Sequence, residues 1–143
     1  MADIIIINKV DTADPTDVAT VRKNAKTLNP DAVIIEAASP ITVDDPKLIN
    51  GKKVLVVEDG PTVTHGNMAY GAGTIAAERL GAGEIIDPHP YAVGSIIEAY
   101  KTYGHLGAVL PALGYGREQI RELEQTINKT PCDIVLILSL IHI

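Results

Sequence analysis

Asn8-Lys9-Val10-Asp11 is the stretch of this sequence best suited to reading a ligand. A carboxylate at Asp11 can accept from two adjacent donors, and guanine offers such a pair in N1-H and its exocyclic amine. Adenine does not, so one Asp discriminates between the two bases. Asn8 would tie the loop to neighbouring segments, while the Lys9 stem would lie against the flat face of the base. The plain alternative is a strand-to-helix turn, where Asn and Asp are common.

A second polar stretch, Glu58-Asp59-Gly60-Pro61-Thr62-Val63-Thr64-His65-Gly66, gathers two carboxylates, two hydroxyls and a histidine. Read as a loop ahead of a glycine-rich helix start, it would let backbone amides approach an anion. Thr62, Thr64, His65 and Gly66 would hold a phosphorylated substrate, with Asp59 or His65 handling protons or a metal ion. The alternative is a polar connection whose Asp and Thr cap the next helix. Asp87-Pro88-His89-Pro90 reads as a rigid proline turn that could bring a second histidine to a strand end. A metal site through Asp59, His65, Asp87 and His89 is a runner-up without supporting ligand spacing. Gly71-Ala72-Gly73-Thr74-Ile75-Ala76 matches Gly-x-Gly-x-x-Ala, yet it stands more than ten residues beyond Val57, so close helix packing explains its glycines better than a dinucleotide. Cys132 reads as a buried small hydrophobe, His105 as a surface or loop residue, and His142 falls in the tail.

These residues need strands and helices to place them. Ile4 to Ile7 is an unbroken β-branched run, which suits a strand buried on both faces of a parallel sheet. Asp14-Pro15 opens a helix carrying Val18, Val21, Ala25 and Leu28 at helical spacing, and Asn29-Pro30-Asp31 ends it. Ala32 to Glu36 is a second strand, leading into Ala37-Ala38-Ser39. Pro40 to Gly51 is loop-like and holds the boundary between subdomains. Lys52 to Val57 is the next strand. Helical character resumes near Met68 and runs to Leu80, with Gly81 as C-cap. Glu84 to Asp87 is a short strand, and Val93, Ile96, Ile97 and Tyr100 mark a helix. Leu106 to Leu110 reads as a strand closed by Pro111. An amphipathic helix from Tyr115-Gly116 points Ile120, Leu123 and Ile127 inward. Cys132 to Ile137 is the last strand. Strand and helix patterns alternate throughout, so the expected fold class is α/β with a mostly parallel sheet and flanking helices.

Composition fits an aliphatic α/β core: 46% of residues are hydrophobic, with five Tyr and neither Phe nor Trp. A net charge of −6 argues against nucleic acid or an anionic membrane surface as the main partner. A single cysteine gives no internal disulfide framework and fits a reducing cytoplasm. No stretch has transmembrane length, and the first residues carry no signal-peptide pattern. A cytoplasmic location is therefore expected.

Asn8-Lys9-Val10-Asp11 resembles the base-specificity motif of P-loop GTPases. Ala37-Ala38-Ser39, one helix and one strand later, resembles their second base-contacting loop, especially in the nickel-insertion GTPases, which implies base contacts at Ala38 and Ser39. Together with Val56-Val57-Glu58-Asp59-Gly60-Pro61-Thr62, Tyr91-Ala92-Val93-Gly94-Ser95 and Gly114-Tyr115-Gly116, these blocks resemble the cyclic 2,3-diphosphoglycerate synthetase family, also described as predicted P-loop GTPases. The resemblance covers about residues 2–137. It implies a P-loop NTPase-like, Rossmann-like fold and an enzyme that uses a nucleoside triphosphate, ATP in the named synthetase, to close an intramolecular phosphoanhydride. The implied cofactors are GTP or ATP with Mg2+.

The family's phosphate loop, Gly-x-x-x-x-Gly-Lys-Ser/Thr, occurs nowhere in these 143 residues. The expectation is a later part of a longer protein: residues 1–50 recognise the base, 51–137 continue the α/β fold with substrate loops, and 138–143 form an unrelated apolar tail. His89 stands where the family has Arg between two prolines, which counts against a phosphate role for that turn. Its partners would be a nucleotide, a small phosphorylated substrate and the missing N-terminal half of the same domain, with oligomerisation left open. Alone, the chain is expected to be catalytically silent. Two competing readings are a non-catalytic α/β module that binds a small phosphorylated ligand, and a structural subdomain.

Overall fold

A computed structural model of the protein describes residues 2–114 and 116–138. Tyr115 and the tail after Leu138, His142 included, lie outside the described residues. The chain forms two compact units, Met1–Thr42 and Val43–Ile143. The sheets are parallel and helices intervene between the strands, so the α/β class is observed.

Unit 1 is one strand-helix-strand element: β1 (Ile4–Asn8), α1 (Pro15–Leu28) and β2 (Val33–Ala37). The helix starts where Asp14 accepts a 2.7 Å hydrogen bond from the Thr16 amide and Pro15 presets the first turn. That bond, made through backbone and side chain of Thr16, holds the Asp14 carboxyl below its ordinary value. The two strands pair in register from Ile4 opposite Val33 to Asn8 opposite Ala37. The expectation of a strand buried on both faces fails here. Ile4 and Ile6 are 55% and 63% exposed, Val33 and Ile35 lie bare beside them, and only Ile7 is buried in β1. The reason is arithmetic: one helix covers one face of a two-stranded sheet, and the alternation of side chains leaves Ile4, Ile6, Val33 and Ile35 on the other. Val21 and Leu28 of α1 are likewise exposed.

Unit 2 is organised around β3 (Lys53–Asp59), which pairs with β4 (Glu84–Ile85), β5 (Leu110–Ala112) and β6 (Ile134–Ile137), all parallel. Val54 pairs with both Ile85 and Ile134, and Val57 with both Leu110 and Ile137. Hence β4 and β5 share one edge of β3 and β6 takes the other. Residues Val54 to Val57 are essentially inaccessible. Val54 and Val56 pack with Ile49 and Ala77 on one face, while Leu55 and Val57 pack with Ile96 and Leu110 on the other. Helices α3 (Ala72–Arg79) on the first face, and α4 (Ser95–Thr102) and α5 (Arg117–Lys129) on the second, account for burial on both sides.

Four local expectations are corrected. The polar stretch after β3 is a helix, α2 (Gly60–His65), not a loop: Pro61 falls in its first turn and the Thr64 hydroxyl donates back to the Gly60 carbonyl at 2.8 Å. The next helix then begins at Ala72 rather than near Met68. The strand expected at Leu106 to Leu110 runs instead from Leu110 to Ala112 with Pro111 inside it, tolerated because among the described residues β5 borders only β3 and Pro needs no partner on its outer side. Ile120 of α5 is 51% exposed; Leu123 and Ile127 do pack inward, and Thr126 is the residue fully buried. Among the described residues no helix is long and apolar enough to cross a membrane.

Candidate functional site

The loops after β1 and β2 meet, because parallel pairing in register carries both strand ends to the same edge. Asn8, the last residue of β1, lies opposite Ala37, and the Val10 amide donates to the Ala37 carbonyl at 3.3 Å. Lys9 adopts a left-handed φ of 62°. Its carbonyl then accepts from the amides of Thr12 and Ala13 and from the Thr12 hydroxyl, which ties the tight turn into α1. Asp11 reaches across: its Oδ1 accepts from the Ser39 amide at 2.9 Å. The second Asp11 oxygen and the Lys9 ammonium carry no hydrogen bond among the described residues. Asn8, Lys9, Asp11 and Ala38 are exposed and Ser39 is half-buried. Each expected base-binding residue thus stands at one edge of unit 1, with a carboxylate held by one oxygen and open at the other.

The residues expected to hold a phosphorylated substrate are distributed differently. Asp59 ends β3 and occupies the N-cap position of α2, without its side chain capping the helix. Thr62 lies within α2. The Thr64 hydroxyl is engaged with Gly60 and lies 3.1 Å from His65 Nδ1, and His65 and Gly66 are exposed at the helix end. Among the described residues no group of three or more His, Cys, Asp and Glu side chains could hold a metal ion. Asp59, His65, Asp87 and His89 are not brought together into such a group among the described residues. Asp87 and His89 are paired, Oδ1 to Nδ1 at 2.5 Å.

Two features went unread in the sequence. Glu58 is fully buried at the end of β3, where its Oε1 accepts from the amides of Gly71 at 3.1 Å and Thr74 at 3.0 Å. Its Oε2 has no hydrogen-bond partner among the described residues. A methyl group at Gly71 would lie 2.5 Å from that oxygen, and one at Gly73 2.8 Å from Val56, which gives the physical reason for the two glycines. The signal was present as an acidic residue amid strand apolars, followed by glycines at the start of a helix. On the other face, Glu122 of α5 accepts from the Ser95 hydroxyl and amide at the start of α4. Those bonds hold its carboxyl below the ordinary value. Cys132 is half-buried against the second core cluster, and His105 lies in a loop, its Nε2 2.8 Å from the Val63 carbonyl.

A cavity of about 560 Å3 in unit 1 is lined by Val10, Pro15, Val18, Arg22, Lys23 and Glu36, among others. Arg22 and Glu36 pair across it, so its charge is partly spent.

No family model and no solved structure matches the chain. The sequence is similar to a protein named arginine synthetase ArcE from Thermococcus kodakarensis, 64% identical over 135 residues. The match takes in 94% of this chain but 30% of that protein, so the chain spans less than a third of the length of the relative it matches.

Proposed function

We propose that this chain contributes the base-reading loops of a nucleoside-triphosphate-dependent synthetase with a P-loop NTPase-like nucleotide site. The observation that carries the reading is the Asp11 to Ser39 bond, which joins two loops that a guanine ring would need together and leaves one carboxylate oxygen open. The relative's name supports synthetase chemistry and adds a product class, since that protein is named for making arginine. Arginine formation is thereby favoured over the phosphoanhydride closure that the cyclic 2,3-diphosphoglycerate synthetase resemblance implies. The bare face of Ile4, Ile6, Val33 and Ile35 supports a further layer of the same domain packing there, since two parallel strands and one helix do not make an independent core. The phosphate loop would belong to that layer.

Guanosine and adenosine titrated into 15N-labelled protein test the reading without a phosphate loop. Guanosine is expected to shift the amides of Asn8 to Asp11 and of Ala38 and Ser39, and adenosine to shift them much less. Asp11→Asn exchanges an acceptor for a donor, so preference should move from guanosine to xanthosine, which carries a carbonyl in place of the exocyclic amine. Equal responses to guanosine and adenosine, or phosphate binding without base preference, would favour the non-catalytic module instead.

A further inference from the structure

We propose that His89 is a proton-transferring residue of a second site at the carboxyl end of β4, with Asp87 as its positioning residue and Tyr100 as its brace. Ligands of open α/β sheets bind outside the carboxyl ends of strands. The ladder ends with the Ile86 amide on the Val54 carbonyl, and the next residues are Asp87-Pro88-His89-Pro90. Pro88 is fully buried and anchors the turn, and the Tyr91 amide donates to its carbonyl at 3.0 Å.

Within that turn Asp87 Oδ1 meets both the His89 amide, at 3.1 Å, and the ring Nδ1, at 2.5 Å. An Asx turn needs only the first contact. The second fixes chemistry: a carboxylate only accepts, so Nδ1 carries the proton, and the lone pair of the ring's neutral form lies at Nε2. The imidazole stacks on the Tyr100 ring, centroids 3.7 Å apart and planes at 28°. Tyr100 is itself held by donating to the Val109 carbonyl at 2.8 Å and by packing against the core. Burial, and after it the charge of Asp87, pushes its phenol well above the ordinary value, so it remains a neutral support. His89 Nε2 has no hydrogen bond among the described residues, and the side chain is 36% exposed. A base oriented by a carboxylate, with its other nitrogen open, is the arrangement proton transfer requires.

Resting on the synthetase reading, the step is as follows. An amine nucleophile forms a C–N bond to a carbon activated as a phosphate ester by the nucleoside triphosphate. The C–O bond breaks, phosphate leaves with its electron pair, and the nitrogen's surplus proton passes to Nε2. The resulting imidazolium is stabilised by Asp87 and returns its proton to water.

Two measurements test this. In the 143-residue chain, long-range 1H–15N correlation should find His89 protonated at Nδ1, and Asp87→Asn should abolish that preference; a ring protonated at Nε2 overturns the assignment. In the natural polypeptide that carries these residues, NTP-dependent C–N bond formation is measured for the wild type, His89→Ala and His89→Gln. A fall in kcat of about 100-fold or more in both variants, with partial recovery of His89→Ala by added imidazole, is the expected result. Wild-type kcat in either folded variant, or no recovery by imidazole, overturns the role of His89 while leaving the synthetase reading intact. A wild-type polypeptide that forms no such bond with any nucleoside triphosphate removes both.

Discussion

Replacing Gly71 by alanine tests whether the buried Glu58 carboxylate organises unit 2. The added methyl would lie 2.5 Å from Oε2 and 2.8 Å from Cδ, and the nearest atoms all belong to that one side chain. Gly71 has a φ of −128°, which any residue adopts, so the cost is steric. Overpacking of this kind costs about 1–3 kcal/mol. Moving the carboxylate aside also weakens its bonds to the Gly71 and Thr74 amides, and a bond to a charged group is worth about 1.5–3 kcal/mol. Losing one of them brings the total to about 2.5–6 kcal/mol. For a unit of roughly 100 residues that lowers Tm by about 10 °C or more, read by far-UV circular dichroism. Glu58→Ala provides the partner for a double-mutant cycle. Without the carboxylate, Gly71→Ala meets little, so the two substitutions should couple by about 2 kcal/mol or more. A Gly71→Ala protein melting within about 2 °C of the wild type, or an equal loss in both backgrounds, would refute the reasoning.

The start of α4 offers two more tests. Gly94 has a φ of +54°, and a methyl there would overlap Glu122, so Gly94→Ala should destabilise by about 1–3 kcal/mol in urea titrations. Because the bonds from Ser95 lower the folded pKa of Glu122, its stabilisation is complete above the ordinary value of 4.5 and fades as pH falls through the folded value. Tm measured against pH should therefore show an acid limb that is shallower in Glu122→Gln; identical limbs would exclude the Ser95 contact as a source of acid sensitivity.

What the sequence made legible was local. Asp14-Pro15 announced α1 because cap and first turn are neighbours in the chain, and the alternation of strand and helix patterns gave the α/β class. The meeting of Asp11 with Ser39 could be anticipated because both follow strands, and parallel strands in register deliver their ends together. Glu58 could not, since its partners stand 13 and 16 residues away and become neighbours only when α3 lies on β3. Four isoleucines in a row announce a strand, but whether both faces are covered depends on how many helices surround it. Pro111 misled because a proline ends a central strand yet is tolerated where one side needs no donor. Asp87-Pro88-His89-Pro90 showed its rigidity, while the ring contact depended on rotamers that sequence does not display.

Among the described residues all strand pairing in unit 2 passes through β3, and its partner β6 follows Asp133, which stands 80 residues after Lys53 and holds its amide. A chain leaving the ribosome can bring β4 and β5 to one side of β3 early. The other side, Val54-Leu55-Val56-Val57, must wait until Ile134–Ile137 has been made. Through that interval the nascent protein displays an uncapped aliphatic strand, the kind of edge that recruits a second copy of itself. At this edge of β3 the hazard of aggregation thus belongs to synthesis rather than to the finished fold, and stopping translation before Ile134 would make it permanent.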